Sequence, residues 1–176
     1  MKTEADAAID DLVGRLSLLP RAAIGHGFRH PTSPDSTRKR DYQATLTQYP
    51  FLERDPGYLA FLSRYSGAAV YSYPDEDISI HLFGFIDDVF HLLHGPGETV
   101  DQDGFMAFGY TELTLSNSDQ DVVTLGFSFD ATGSRRWGIY RSVRQPGGDT
   151  QGPDWYCLSF IEWLRLAIAA KGRLLE

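Results

Sequence analysis

Histidine and carboxylate side chains at helical spacing give this chain one arrangement that could bind a metal ion. His91 and His94 are three residues apart, and Asp87 and Asp88 precede His91 by about one turn. On a helix these side chains would share one face, and imidazole and carboxylate groups bind divalent metals. A metal-dependent hydrolase built on this Asp/His cluster is therefore one alternative function. Apolar residues between them indicate a second interpretation, in which the segment simply packs against a core.

Other catalytic patterns are missing from the sequence. It has no phosphate-binding glycine loop, no serine-nucleophile elbow and no His-Glu-x-x-His motif. A single cysteine, Cys157, excludes an internal disulfide and a cysteine-based zinc site. Because Cys157 precedes an apolar helix, we expect a buried and unreactive thiol. The sequence thus predicts no catalytic residues, no metal, no cofactor and no enzymatic activity.

Charge is distributed unevenly along the chain. The segment between Arg64 and Arg135 contains twelve Asp and Glu but no Lys or Arg, whereas the whole chain carries 24 acidic and 16 basic residues. The segment is therefore at −12 and the two flanks together are at +4. A field of one sign steers oppositely charged partners and repels nucleic acid and anionic lipid. The segment is either a solvated acidic surface or a docking face for a basic protein.

Basic residues return immediately after this acidic segment. They are Arg135, Arg136, Arg141 and Arg144, which surround the second strand of a predicted hairpin. They could pair with the acidic segment or form a small separate patch. The pI near 5.0 argues against a nucleic-acid partner or a membrane-surface partner.

Three helices are indicated by their capping residues. Thr3 can cap a helix that continues to about Leu18, where an apolar stripe recurs at helical spacing. Asp55 and Pro56 begin a second helix, which Gly67 is expected to end as a left-handed cap. Ser159 and Glu162 match the capping box of a closing helix.

Alternating apolar residues indicate the strands. The predicted strands are Ala69–Tyr73, Ile78–Phe83, Phe105–Leu113, Val122–Phe129 and Trp137–Arg141. A turn at Asp130–Gly133 joins the last two, and Gly25–Arg40 and Gln145–Pro153 are predicted loops. We therefore expect an α+β fold: a mostly antiparallel sheet of about five or six strands packed with N-terminal helices and a C-terminal helix.

The length of 176 residues fits one domain, with an N-terminal helical extension and loop in residues 1–45 and a core in 46–176. The acidic N-terminus does not resemble a signal peptide, and no apolar run reaches the length of a membrane span. We expect a soluble, cytoplasmic protein.

Four segments, in their order and spacing, resemble the SUKH superfamily. They are the helix Asp55–Leu62 closed by Ser66 and Gly67, the strand Ile80–Phe85, the hairpin strands Val123–Asp130 and Gly138–Tyr140, and the closing helix Ser159–Leu164. The resemblance covers roughly residues 45 to 170. The chain departs from the family pattern in its long N-terminal extension and in an inserted loop at residues 95–104.

The resemblance implies an α+β fold and a non-enzymatic binding role. Many bacterial members are immunity proteins that neutralise a co-encoded toxin, often a nuclease, and fungal relatives are scaffolds in cell-wall signalling. A nuclease cleft is basic because it binds a polyanion, so an acidic face suits such a partner. The predicted partner-binding residues combine charge with aromatic anchors; they are Asp75, Glu76, Asp77, Asp87, Asp88, Tyr71 and Tyr73. A housekeeping scaffold with another protein partner stays open, and the sequence does not give the oligomeric state.

Overall fold

A computed structural model describes residues 2–25, 46–65, 67–70, 78–83, 100–114 and 122–171. The helices are α1 (Glu4–Ser17), a 3₁₀ helix (Pro50–Arg54), α2 (Pro56–Leu62) and α3 (Phe160–Ala169). The strands are β1 (Ala22–Gly25), β2 (Gly67–Val70), β3 (Ile78–Phe83), β4 (Phe105–Thr114), β5 (Val122–Asp130), β6 (Ile139–Arg144) and β7 (Thr150–Cys157).

The described strands form one antiparallel sheet in which each strand pairs with its neighbours in the sequence, from β1 to β7. Short connections join β5 to β6 and β6 to β7, which favours antiparallel pairing of these neighbours. By contrast, the 3₁₀ helix and α2 lie between β1 and β2 in the chain. The α+β class and the antiparallel sheet are confirmed. The expected number of five or six strands does not match, since the described sheet contains seven.

Two of these strands were not predicted from the sequence, and a third, β6, begins at Ile139 rather than at the predicted Trp137. β1 was not predicted, because four residues are too few to show an alternating pattern. β7 begins inside the segment Gln145–Pro153, which we predicted to be a loop. Gly152 and Pro153 are unfavourable inside a central strand, but β7 is the last strand of the sheet, and proline is tolerated on such an edge.

The caps of α1 and α3 use the predicted residues. The Thr3 hydroxyl accepts a hydrogen bond from the Asp6 amide at 3.1 Å, and the Asp6 carboxylate accepts one from the Thr3 amide at 2.8 Å. At α3, Ser159 Oγ accepts from the Glu162 amide at 3.3 Å. The return bond differs from the expected capping box, because Glu162 accepts from the amide of Leu158 at 2.9 Å.

The predicted end of α2 is wrong. The helix ends at Leu62, and its C-cap Ser63 keeps a right-handed helical conformation. Gly67 is the first residue of β2 rather than a left-handed cap. Backbone amides of Arg64 and Tyr65 donate to the Phe61 carbonyl, and that of Ser63 donates to the Leu59 carbonyl, so these carbonyls are satisfied without glycine.

The core lies between one face of the sheet and the three helices. Along β5, alternate side chains from Val123 to Phe129 are buried. From Leu125 onward they join helix side chains such as Phe61 and Trp163 in one core cluster. Phe108 of β4 lies at the centre, with ring centroids 4.9 Å from Phe129 and 5.1 Å from Trp163. The N-terminal extension shares this core, because four α1 side chains are buried in it: Ile9, Leu12, Val13 and Leu16.

The opposite face of the sheet has a different composition. On β5 this face carries Val122, Thr124, Gly126 and Ser128, all of them half-buried. Three of the four are small or polar, whereas the core face of β5 carries large apolar side chains. We call this surface the open face.

Candidate functional site

A groove crosses the open face over β4, β5 and β6. It has a volume of about 360 Å³. Small residues of all three strands line it, and we call Ala107, Gly126, Ser128 and Ser142 its floor; the larger Tyr110 and Phe127 line it as well. Concave surfaces with a few polar groups are where proteins commonly bind partners and ligands, so the groove is the candidate functional site.

The depth of the groove follows from the register of the three strands. Gly126 lies opposite Tyr110 on one side and opposite Ser142 on the other. A Cβ atom at Gly126 would come within 2.9 Å of Ser142 Oγ. Glycine at this position therefore keeps the middle of the floor low.

One row of cross-strand neighbours gives the groove its charge. Glu112 lies opposite Thr124, and Thr124 lies opposite Arg144. Because two inter-strand spacings separate Glu112 from Arg144, their backbones are about 10 Å apart. Within the described residues neither side chain forms an ion pair, so both charges are available to a ligand lying along the row.

The other charged residue that lines the groove has a structural role. Asp101 Oδ1 accepts hydrogen bonds from the amides of Asp103 and Phe105, at 3.0 and 2.8 Å. These bonds hold the turn that leads into β4. Asp101 and Glu112 both belong to the acidic segment between Arg64 and Arg135, so that segment contributes directly to the groove.

The groove offers groups for binding. Hydroxyls of Ser128 and Ser142 and the side chains of Glu112 and Arg144 can hydrogen-bond a polar segment. In the part of the chain that the structure describes, no group of three or more His, Cys, Asp or Glu side chains could hold a metal ion.

Of the basic residues after the acidic segment, one pairs with that segment, two lie over aromatic rings and one lines the groove. Arg135 pairs with Asp130 at 3.2 Å, so it does contact the acidic segment. Arg136 lies over the Trp155 ring, 3.7 Å from its centroid, and Arg141 lies 5.2 Å from that of Tyr156. Arg144 lines the groove.

Cys157 and Asp55 are titratable groups that are buried on the core side of the sheet. Burial raises the pKa of the Cys157 thiol to about 12, which keeps it protonated and unreactive at neutral pH. This confirms the predicted buried thiol. Burial also raises the pKa of Asp55, although backbone hydrogen bonds from Phe160, Tyr58 and Gly57 oppose that rise.

The predicted partner-binding residues lie outside the described residues. This applies to Asp75, Glu76, Asp77, Asp87, Asp88, Tyr71 and Tyr73, and equally to His91 and His94 of the alternative metal cluster. Their roles stay predictions. The sequence did not predict the groove, although three of the four residues on one face of Val122–Phe129 are small or polar: Thr124, Gly126 and Ser128.

None of the described helices combines the length and apolar composition that crossing a bilayer requires. Comparisons of the chain with protein-family models, with curated proteins and with solved structures find no match.

Proposed function

We propose that this chain is a non-catalytic protein-binding module that contacts its partner across the open face. The observation that carries the proposal is the groove of small residues between Glu112 and Arg144. A continuous sheet face with a low floor can receive a loop or a strand of another protein. Its two charges, which have no ion-pair partner among the described residues, would then fix the orientation of that segment.

The resemblance to the SUKH superfamily supports a narrower proposal. In it the partner is a bacterial toxin, and the chain is the immunity protein that neutralises it. The charge of −12 between Arg64 and Arg135 favours a basic toxin such as a nuclease. Glu112 and Asp101 bring two charges of that segment to the groove.

A matched pair of substitutions tests the proposal. Ser142→Arg places a long side chain over the floor of the groove, whereas Ala169→Arg places the same side chain on the exposed end of α3. The tagged wild type and both variants are used to capture partners from a lysate of the native host at low and high salt. Circular dichroism and thermal melting establish that both variants are folded.

We expect the wild type and Ala169→Arg to retain one stoichiometric basic partner at low salt and to lose it at high salt. The Ser142→Arg variant should bind the partner with an affinity about tenfold lower and should therefore capture less of it. Equal capture by Ser142→Arg and Ala169→Arg would show that the groove is not the contact surface.

A further inference from the structure

Two arginines on one end of the molecule are stacked on tryptophan rings. The Arg54 guanidinium lies 4.4 Å from the Trp137 ring centroid, and the Arg136 guanidinium lies 3.7 Å from that of Trp155. Both arginines are exposed, whereas both indoles are half-buried. None of these residues lines the groove on the open face.

The two stacked pairs are joined and held by the fold. Trp155 Nε1 donates a hydrogen bond to the Trp137 carbonyl at 3.1 Å. Trp137 in turn stacks on the buried Phe129, with ring centroids 5.7 Å apart and planes inclined by 12°. The Tyr140 hydroxyl donates to the Arg136 carbonyl at 2.7 Å, which fixes the backbone beneath the second guanidinium.

The neighbouring Arg135 shows what is different about these two arginines. It also lies over an aromatic ring, that of Phe105, but it is paired with the buried carboxylate of Asp130. Arg54 and Arg136 form no ion pair within the described ranges. Their guanidinium groups are thus oriented by indoles and have no carboxylate partner there.

A guanidinium stacked on a ring keeps its N–H edge free, and that edge matches the two oxygens of a carboxylate. Stacking also lowers the entropy that the side chain loses on binding. Tryptophan and arginine are the residues most enriched at energetically dominant positions of protein interfaces. We propose that Arg54 on Trp137 and Arg136 on Trp155 form a docking site for carboxylate side chains of an acidic protein segment.

Charge favours carboxylates over nucleic-acid phosphates as the occupant. The chain has a formal net charge of −8, which repels a long polyanion. A short acidic segment carries few charges and can be bound locally by two arginines. The site does not depend on the proposed function of the groove.

Peptide titrations test this site. A capped hexaglutamate peptide is titrated into the full chain at neutral pH and low salt, followed by tryptophan fluorescence and calorimetry. Capped hexaglutamine and inorganic phosphate are titrated separately. The variants are Arg54→Gln, Arg136→Gln and Arg136→Lys, and Arg15→Gln on α1 is the control with the same charge change.

We expect hexaglutamate to bind the wild type and Arg15→Gln equally, with indole fluorescence changing on binding. Arg54→Gln and Arg136→Gln should each weaken binding about tenfold, as loss of a charge-assisted hydrogen-bond pair implies. Arg136→Lys keeps the charge and the fold but loses the planar fork, so it should also bind more weakly than the wild type.

Three results would overturn the proposal. The first is hexaglutamine binding as tightly as hexaglutamate. The second is inorganic phosphate binding as tightly as the peptide, since the site would then be a general anion site. The third is that variants which thermal melting shows to be folded bind hexaglutamate as tightly as the wild type. If the two glutamine variants are unfolded, the affinity of Arg136→Lys is the result that decides.

Discussion

At the scale of single residues, Asp55 connects two helices. One of its oxygens accepts from the Tyr58 amide of α2 at 2.9 Å, and the other accepts from the Phe160 amide of α3 at 2.8 Å. The side chain is buried, so water cannot replace it. A residue that the sequence marks as the cap of one helix therefore also satisfies the start of another, 105 residues later in the chain.

Asp55→Ala should lower the free energy of unfolding by about 2 to 4 kcal/mol, because it removes a cap and leaves two buried amides without acceptors. Asp11→Ala, on the exposed side of α1, should change it by less than about 0.5 kcal/mol. Urea unfolding followed by circular dichroism measures both. Equal stability of the two variants would contradict the linking role of Asp55.

The lowered pKa of Asp10 leads to a prediction of how the free energy of unfolding depends on pH at acidic values. Burial acts to raise its pKa, but hydrogen bonds from Lys2, Tyr65 and Arg64 outweigh burial and lower the pKa to about 2, from an ordinary value of 3.8. A carboxyl whose pKa is lower in the folded state stabilises the fold above the unfolded pKa. That contribution is lost as the pH falls from about 4 towards 2.

We therefore expect the free energy of unfolding of Asp10→Asn to be lower than that of the wild type at neutral pH and to fall less steeply below about pH 4. Urea unfolding at a series of pH values gives both curves, with Asp11→Asn as the control. Parallel curves for Asp10→Asn and the wild type would contradict the assignment.

At the scale of elements, prediction from sequence succeeded where a local pattern is enough. Thr3 and Ser159 begin α1 and α3 because their caps depend on residues within one turn. The sequence does not predict β7, because Gly152 and Pro153 are typical of a loop. They are compatible with a strand here because β7 pairs only with β6 in the described sheet and so forms its edge. Gly67 was misassigned because glycine suits both a helix cap and the start of a strand.

Gly138, in the turn between β5 and β6, lies in a position that accepts only glycine. Its φ is +146°, and a Cβ atom there would meet Trp155 Nε1 and would lie 2.5 Å from the Cys157 carbonyl oxygen. Gly133 in the same hairpin has φ +70°, but the nearest heavy atom to its Cβ position is 3.9 Å away. Both glycines have a positive φ, but only Gly133 lies near the left-handed helical value that other residues can adopt, and Gly138 also lacks space for a side chain.

Gly133→Ala should cost only the conformational strain, about 1 kcal/mol. Gly138→Ala should cost more than about 2 kcal/mol, because backbone must also shift. Thermal or urea unfolding of both variants measures the difference. A smaller loss for Gly138→Ala than for Gly133→Ala would show that β7 does not pack against this turn as described.

At the scale of the whole molecule, the sequence indicated the fold class and the segregation of charge but not the groove. The α+β class follows from helix caps and strand alternation, which are local. The groove depends on small residues from three strands, Ala107, Gly126 and Ser142, that meet only through the register of the sheet. Nothing in their separate positions marks them as neighbours.

The central proposal is that the partner contacts the open face, and hydroxyl-radical footprinting with mass spectrometry tests it most directly. The chain is compared alone and in complex with the partner captured from the native host. We predict that Tyr110, half-buried in the groove, becomes protected, while Leu18 and Leu166, exposed by 83% and 40%, keep their reactivity. Protection of Leu166 with Tyr110 unchanged would contradict the claim and place the partner on the helices.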